Sequence, residues 1–334
     1  MSYFNRGKQK VYLASNLSMV KRYSDFINFF SKNNYKLLTN IYTKRNIIGI
    51  LFSRKIGLRR YFNIAFWLFF DVATFPIRLI SIIKADVIFI NSMGKFYFFD
   101  LVVAKILAKK IVVDFYVSNY IALLEKGDGA KPFLKKNVYY KDKSLIYLSS
   151  IIIFMSQAEK DYYLNIYEYK ASCNTKIINY AGDDKVQAGL KYFKRESSEL
   201  NALWVGNLKP HHGFEKMIEA VSKVVNKGYK LHLHIVGGPQ SGFNEYINNI
   251  NTAKLKDRFS FYLNFSYTYN NGKLSKLIED KIDLAFGVFG FDNSGSKSRS
   301  SFATIIKAID YMANCIPLLT CENQMLRESF EDNI

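Results

Sequence analysis

Apolar residues in this chain gather into short runs separated by stretches with a longer period. The runs 10–14 (KVYLA), 35–38, 85–91 (ADVIFIN), 110–114 (KIVVD), 151–155 and 176–179 read as strands. So do 202–205 (ALWV), 231–236, 259–263, 283–288 and 316–320. Between them, apolar positions recur at three-and-four spacing, which predicts helices over 20–33, 99–108, 143–150, 214–225, 244–252, 276–279 and 302–313. Ser156, followed by Glu159, predicts a helix start at 157. Strands alternating with helices of this length predict an α/β protein with parallel sheets. The polar segment 184–201 predicts a linker, dividing the chain into a first domain over 1–184 and a second over 185–334.

The second domain opens on 202–239, a strand–loop–helix–strand unit. Its helix face carries Phe214, Met217, Ile218, Val221, Val224 and Val225, and Lys227-Gly228 stops it. Gly206, Asn207, His212 and Gly213 lie in the loop that enters this helix, and Gly237-Gly238 follow the next strand. Backbone N–H groups at such a helix start can hold phosphate, although an ordinary βαβ turn has the same outline. No Gly-x-Gly-x-x-Gly follows the first strand, where Ser15-Asn16-Leu17-Ser18 stand instead, which counts against a dinucleotide oxidoreductase.

The region 43–83 is the most apolar, but Asp71, Pro76 and Arg78 keep it short of a membrane-spanning run. Long apolar helix faces usually pack inward, which favours core helices. A second reading is a monotopic membrane surface, because Arg54, Lys55, Arg59 and Arg60 stand beside Trp67 and its phenylalanines.

Charge sharpens that choice. Of a net +19, residues 1–185 carry 29 Lys+Arg against 13 Asp+Glu, and the remainder 18 against 15. So basic a half suits an anionic membrane surface or a nucleic acid, or serves solubility alone. Helix-turn-helix, zinc-finger and RNA-binding aromatic motifs are missing, so a nucleic-acid partner is not expected. The three cysteines, Cys173, Cys315 and Cys321, have no framework spacing, and the N-terminus has no signal-peptide pattern, so a cytoplasmic setting is expected. His211, His212, His232 and His234 invite a zinc site, but no Cys or carboxylate stands at ligand spacing with them, and no metal is expected.

The segments VGNLKPHHGFEKMIEAV, LHIVGGP, DLAFGVFG with Lys297 and Arg299, and IIKAIDYMANCIPLLT together resemble retaining family-four glycosyltransferases of the GT-B fold, of the bacterial surface-polysaccharide type. The resemblance covers about 203–320; the first half matches only in strand order. It implies two Rossmann-like domains facing a cleft. The partners it implies are a nucleotide-diphosphate sugar donor and a lipid-linked glycan acceptor, at the inner face of the cell membrane. No cofactor is implied. Donor-binding positions would be Gly206, Asn207, His212, Gly213, Gly237, Gly238, Phe289, Gly290, Lys297, Arg299, Lys307 and Asp310, with cations and backbone N–H groups neutralising the diphosphate. Asp310 would take the ribose hydroxyls. Lys307 and Asp310, three apart on one helix, can face one way, although such a pair is commonly a surface salt bridge. Asp114, at a strand end, is the candidate catalytic base; a strand-end turn residue is the plainer account.

The sequence departs from the family pattern in places. Asn207 stands for an Arg, His212 for a Lys, Asp310 for a Glu, Ile305-Ile306 for Pro-Asn and Cys315 for a Gly, while Phe302 lies near the position of the first paired Glu. The family plan also adds a strand and helices beyond the position of Ile334, so an incomplete second domain with an exposed apolar face is expected. A degenerate homologue that binds nucleotide without turnover is the alternative.

Overall fold

A computed structural model describes residues 8–15, 21–39, 72–94, 98–124, 132–169, 174–180, 198–208, 212–252, 255–268, 271–290 and 301–330. The chain divides into two compact units, Met1–Met155 with Lys160–Ile178, and Ser156–Glu159 with Asn179–Ile334.

The first unit holds a six-stranded sheet of β1 (Lys10–Leu13), β2 (Lys36–Thr39), β3 (Val87–Asn91), β4 (Lys110–Asp114), β5 (Ile151–Phe154) and β6 (Asn174–Ile177). The order is β2-β1-β3-β4-β5-β6, with every neighbour parallel. VIFIN, KIVVD and IIIF are nearly unbroken apolar runs because helices cover both faces of such a sheet. The chain leaves β1 for β2 on one side and returns to β3 on the other, so the sheet's switch point lies between β1 and β3.

The second unit repeats the plan with β7 (Leu200–Gly206), β8 (Leu231–Gly237), β9 (Phe259–Tyr262), β10 (Leu284–Phe286) and β11 (Leu318–Leu319), in the order β11-β10-β7-β8-β9. All are parallel, and the switch point lies between β7 and β10. Trp204, Phe214, Met217, Val221, Leu233, Ile235 and Phe243 form the core between this sheet and the helix Phe214–Asn226. Beside the edge strand β11, Met312, Ile316, Leu318 and Leu326 line an apolar hollow of about 630 Å³.

Several elements differ from the sequence pattern in extent. The helix expected at 143–150 begins at Pro132 and ends at Leu148, and that expected at 302–313 begins only at Ile306. Short helices at Asn119–Leu124 and Gln324–Phe330 had no clear periodic signal. Ser156 does start a helix, its Oγ accepting the Glu159 N–H at 3.1 Å.

At the described end of the apolar region inward packing holds for Ile82 but not for every apolar residue, while 43–71 lie outside the described residues. Helix 72–84 turns Val72, Ile77, Ile80 and Ile83 outward. Its inward side carries Arg78, held to Asp100 of the helix Phe98–Ile106 at 2.9 Å.

Candidate functional site

The loops that leave the strand ends at the second unit's switch point meet one another. Gly206 ends β7 and is paired in register with Gly237, which ends β8. Gly213, in the left-handed region at φ 62°, turns the loop into the helix Phe214–Asn226 with no side chain capping its start. A Cβ on Gly213 would lie 2.4 Å from the carbonyl carbon of Phe289 and 2.5 Å from the nitrogen of Gly290, so the loops after β7 and β10 touch backbone to backbone. The Phe289 N–H donates to the His212 carbonyl at 3.1 Å and fixes that contact. On the other side, a Cβ on Gly238 would come within 2.8 Å of Asn207 Oδ1, so the loop after β8 joins the same cluster.

His212 Nδ1 donates to the Asn207 carbonyl at 2.6 Å, which defines where its proton sits and turns Nε2 away from that loop. Glu215, an acid in the helix's first turn, would oppose an anion there. Its carboxylate is drawn aside by the Tyr246 hydroxyl at 2.6 Å.

Lys307 sits in the first turn of the helix Ile306–Ala313, with its ammonium 5.0 Å above the Trp204 ring of β7. The stem is only partly covered, yet Nζ is shut off from water and has no hydrogen-bond partner. Burial lowers its pKa from 10.5 to about 7. The indole Nε1 of Trp204 and Thr304 Oγ1 are likewise buried without partners. Sequence reasoning missed both; only the orphaned donors reveal them. Asp310 is buried on the same helix, and its carbonyl accepts from Asn314 Nδ2 at 2.6 Å. Lys297 and Arg299 lie outside the described residues.

His232 and His234 face the sheet rather than this cluster. His232 Nε2 meets Ser260 Oγ at 2.8 Å, while His234 bridges Tyr262 at 3.2 Å and Asn201 at 3.1 Å. Burial pushes the His232 imidazole below its ordinary range. Among the described residues no group of three or more His, Cys, Asp and Glu could hold a metal ion.

Asp114 ends β4 with no exposed surface. Its Oδ1 accepts from Arg22 Nε at 2.9 Å and its Oδ2 from Asn91 Nδ2 at 2.8 Å. Burial pushes its carboxyl up while Arg22 and Asn91 oppose the rise. Arg22 also donates to the Ile178 carbonyl at 2.9 Å, and Ser15 Oγ takes the Asn91 N–H at 2.8 Å, so one network ties the strand ends around the first switch point. A second hub, Asp142, accepts from Ser118, Asn119, Tyr167 and the Tyr120 N–H.

The fold has counterparts among solved structures. It is similar to WaaG, a glycosyltransferase involved in lipopolysaccharide biosynthesis, with TM-score 0.55 and 11% identity over 93% of this chain and 80% of that one. A glycosyltransferase from Rickettsia africae ESF-5 gives 0.53 and 13% over 98% and 83%. A UDP-forming α,α-trehalose-phosphate synthase from Burkholderia xenovorans gives 0.52 and 8% over 95% and 84%. At such identities the likeness speaks for the fold alone: this chain is an α/β protein with the GT-B fold. No protein-family profile and no curated protein sequence matches it.

Proposed function

We propose that the chain is a metal-independent retaining glycosyltransferase. It moves a sugar from a nucleotide-diphosphate sugar to a lipid-linked glycan of cell-surface polysaccharide biosynthesis, as a peripheral protein on the cytoplasmic face of the membrane. The observation that carries the donor half is Lys307. A buried ammonium without a hydrogen-bond partner destabilises the fold, and a diphosphate seated against it would supply the missing counter-charge. Its helix runs from the switch-point end of the second sheet, where Gly206, Asn207, Gly213 and Phe289-Gly290 converge.

In this reading His212, Lys297, Arg299 and Lys307 neutralise the diphosphate and Asp310 accepts from the ribose hydroxyls. Gly237 leaves room for Phe243, and Gly238 for Asn207, so the loop after β8 can close onto the donor loop. The anomeric carbon–oxygen bond breaks, the nucleoside diphosphate leaves, and the acceptor hydroxyl joins the same face of the sugar. Both Asp114 oxygens are engaged and buried, which supports a clamp rather than a base. The acceptor proton then passes to a donor phosphate oxygen.

Calorimetry with UDP, GDP and a short RNA tests the donor half. Binding of one nucleoside diphosphate, lost in Asp310→Ala and Lys307→Ala, is the expected result. Salt-steep RNA binding without nucleotide binding would sink the reading. Nucleotide binding with no turnover of any sugar donor would favour a degenerate homologue.

A further inference from the structure

Helix 72–84 carries apolar side chains on its outward side as well as its inward one. By contrast, the helix Lys21–Lys32 buries Tyr23 and packs Phe26, Ile27 and Phe30 against the sheet, leaving Phe29 exposed. Helix 72–84 instead buries Arg78 with Ile82 and exposes Val72, Ile77, Ile80 and Ile83, Val72 to 74%. Ile77, Ile80 and Ile83 recur at a spacing of three and form one stripe, with Val72 a little over one turn before it.

The neighbouring helix Phe98–Ile106 extends the stripe. Phe75 and Phe99 meet as a tilted ring pair with centroids 5.0 Å apart, and Arg78 pairs with Asp100, so the two helices lie side by side. Phe98, Phe99 and Ile106 of the second helix are exposed, Ile106 to 76%. The only acid on either helix is Asp100, which is buried in that ion pair. The exposed charges on the two helices themselves are therefore positive, while Asp86, exposed just beyond Lys84, accepts the Lys10 N–H at 2.7 Å. Lys84 and Lys105 stand at or near the helices' C-terminal ends, with Lys110 at the start of β4. Lys109 Nζ binds the Ile83 carbonyl at 2.7 Å and anchors the end of the first helix.

We infer that the outward face of helices 72–84 and Phe98–Ile106 is a docking surface for an anionic phospholipid bilayer. An apolar stripe edged by lysines, with no exposed carboxylate on either helix, matches acyl chains beneath acidic headgroups. The same lysine edge disfavours a second copy laid face to face, which would bring like charges together. No described helix is long and apolar enough to cross a membrane, so the contact is with the interface. This inference names the surface for the membrane association proposed above and rests on that part of the reading.

Flotation of the full chain with phosphatidylcholine vesicles, with and without phosphatidylglycerol, is the test. Anionic vesicles should bind at least about tenfold better, and Ile77→Ser/Ile80→Ser/Ile83→Ser should lose about tenfold with its thermal transition intact. Lys84→Glu/Lys105→Glu should flatten the salt dependence. An Ile80→Trp indole should shift to the blue on anionic vesicles and be quenched by brominated lipid. Wild-type-like flotation of the triple variant, or an unshifted Trp while the chain floats, overturns this surface. A wild-type dimer that the triple variant dissolves assigns the face to a second copy and also overturns it. No flotation by any form removes the membrane association altogether. UDP and GDP titration of the triple variant, whose changes lie in the first unit, reads the donor site independently.

Discussion

Lys307 concentrates the energetic argument into one side chain. Its ordinary pKa of 10.5 falls to about 7 through burial, a difference that caps the folding penalty near 5 kcal/mol at neutral pH. The unfolded chain holds that proton more tightly than the folded one. The fold therefore gains stability from this group as pH rises from 7 towards 10.5, and loses it on the way down. Lys307→Met is expected to melt higher than wild type at pH 7, by an amount that shrinks towards pH 10.5, while nucleotide binding is lost. Thermal melts across that range check the first half and calorimetry the second; a variant destabilised at every pH would contradict the argument. A diphosphate that binds the charged ammonium must also restore its proton above pH 7. Donor affinity should accordingly weaken by up to about tenfold per pH unit there, with proton uptake visible as a buffer-dependent binding heat. Asp114 answers differently. Removing it in Asp114→Ala strands Arg22 in a buried site, and denaturant titration should show a loss of about 3–5 kcal/mol. If stability instead stays level and only turnover disappears, the carboxylate is a base after all.

At the scale of elements, the loop into the helix Phe214–Asn226 depends on one backbone conformation. Gly213 has φ 62° and sits against the Phe289–Gly290 peptide, whereas Gly272 has φ 72° at a helix start with open space around it. Gly272→Ala should therefore cost the left-handed strain alone, about 1–2 kcal/mol, and leave nucleotide binding unchanged. Gly213→Ala adds a steric overlap that pushes the loops after β7 and β10 apart. It should cost more and weaken nucleotide affinity at least about tenfold. Equal effects of the two substitutions would show that the loop contact does not shape the site. The glycine itself was legible in the sequence, as was the strand–loop–helix–strand frame, because both are local. Its collision partner Phe289 lies some seventy-five residues away and becomes a neighbour only through the strand order.

For the whole molecule, two sheets in two compact units imply two sets of contacts that a ligand can bias separately. A nucleoside diphosphate at a hundred times its Kd should raise the stability of the second unit by about 2.7 kcal/mol. Hydrogen exchange should then slow across β7, β8 and β10 and stay unchanged at the Asp142 hub of the first unit. Protection spread evenly over both units would place the ligand elsewhere.

The sequence alone determined the α/β class, nearly every strand and the glycine-bearing loop, because buried parallel strands and helix faces write their periods directly into neighbouring residues. Tertiary structure decided what depends on residues far apart. It left Lys307 without a partner over Trp204, tied both oxygens of Asp114, and turned Val72, Ile77, Ile80 and Ile83 outward while Ile82 and Arg78, paired with Asp100, took the inward side. An apolar stripe records its own spacing but not which way the neighbouring helix makes it face.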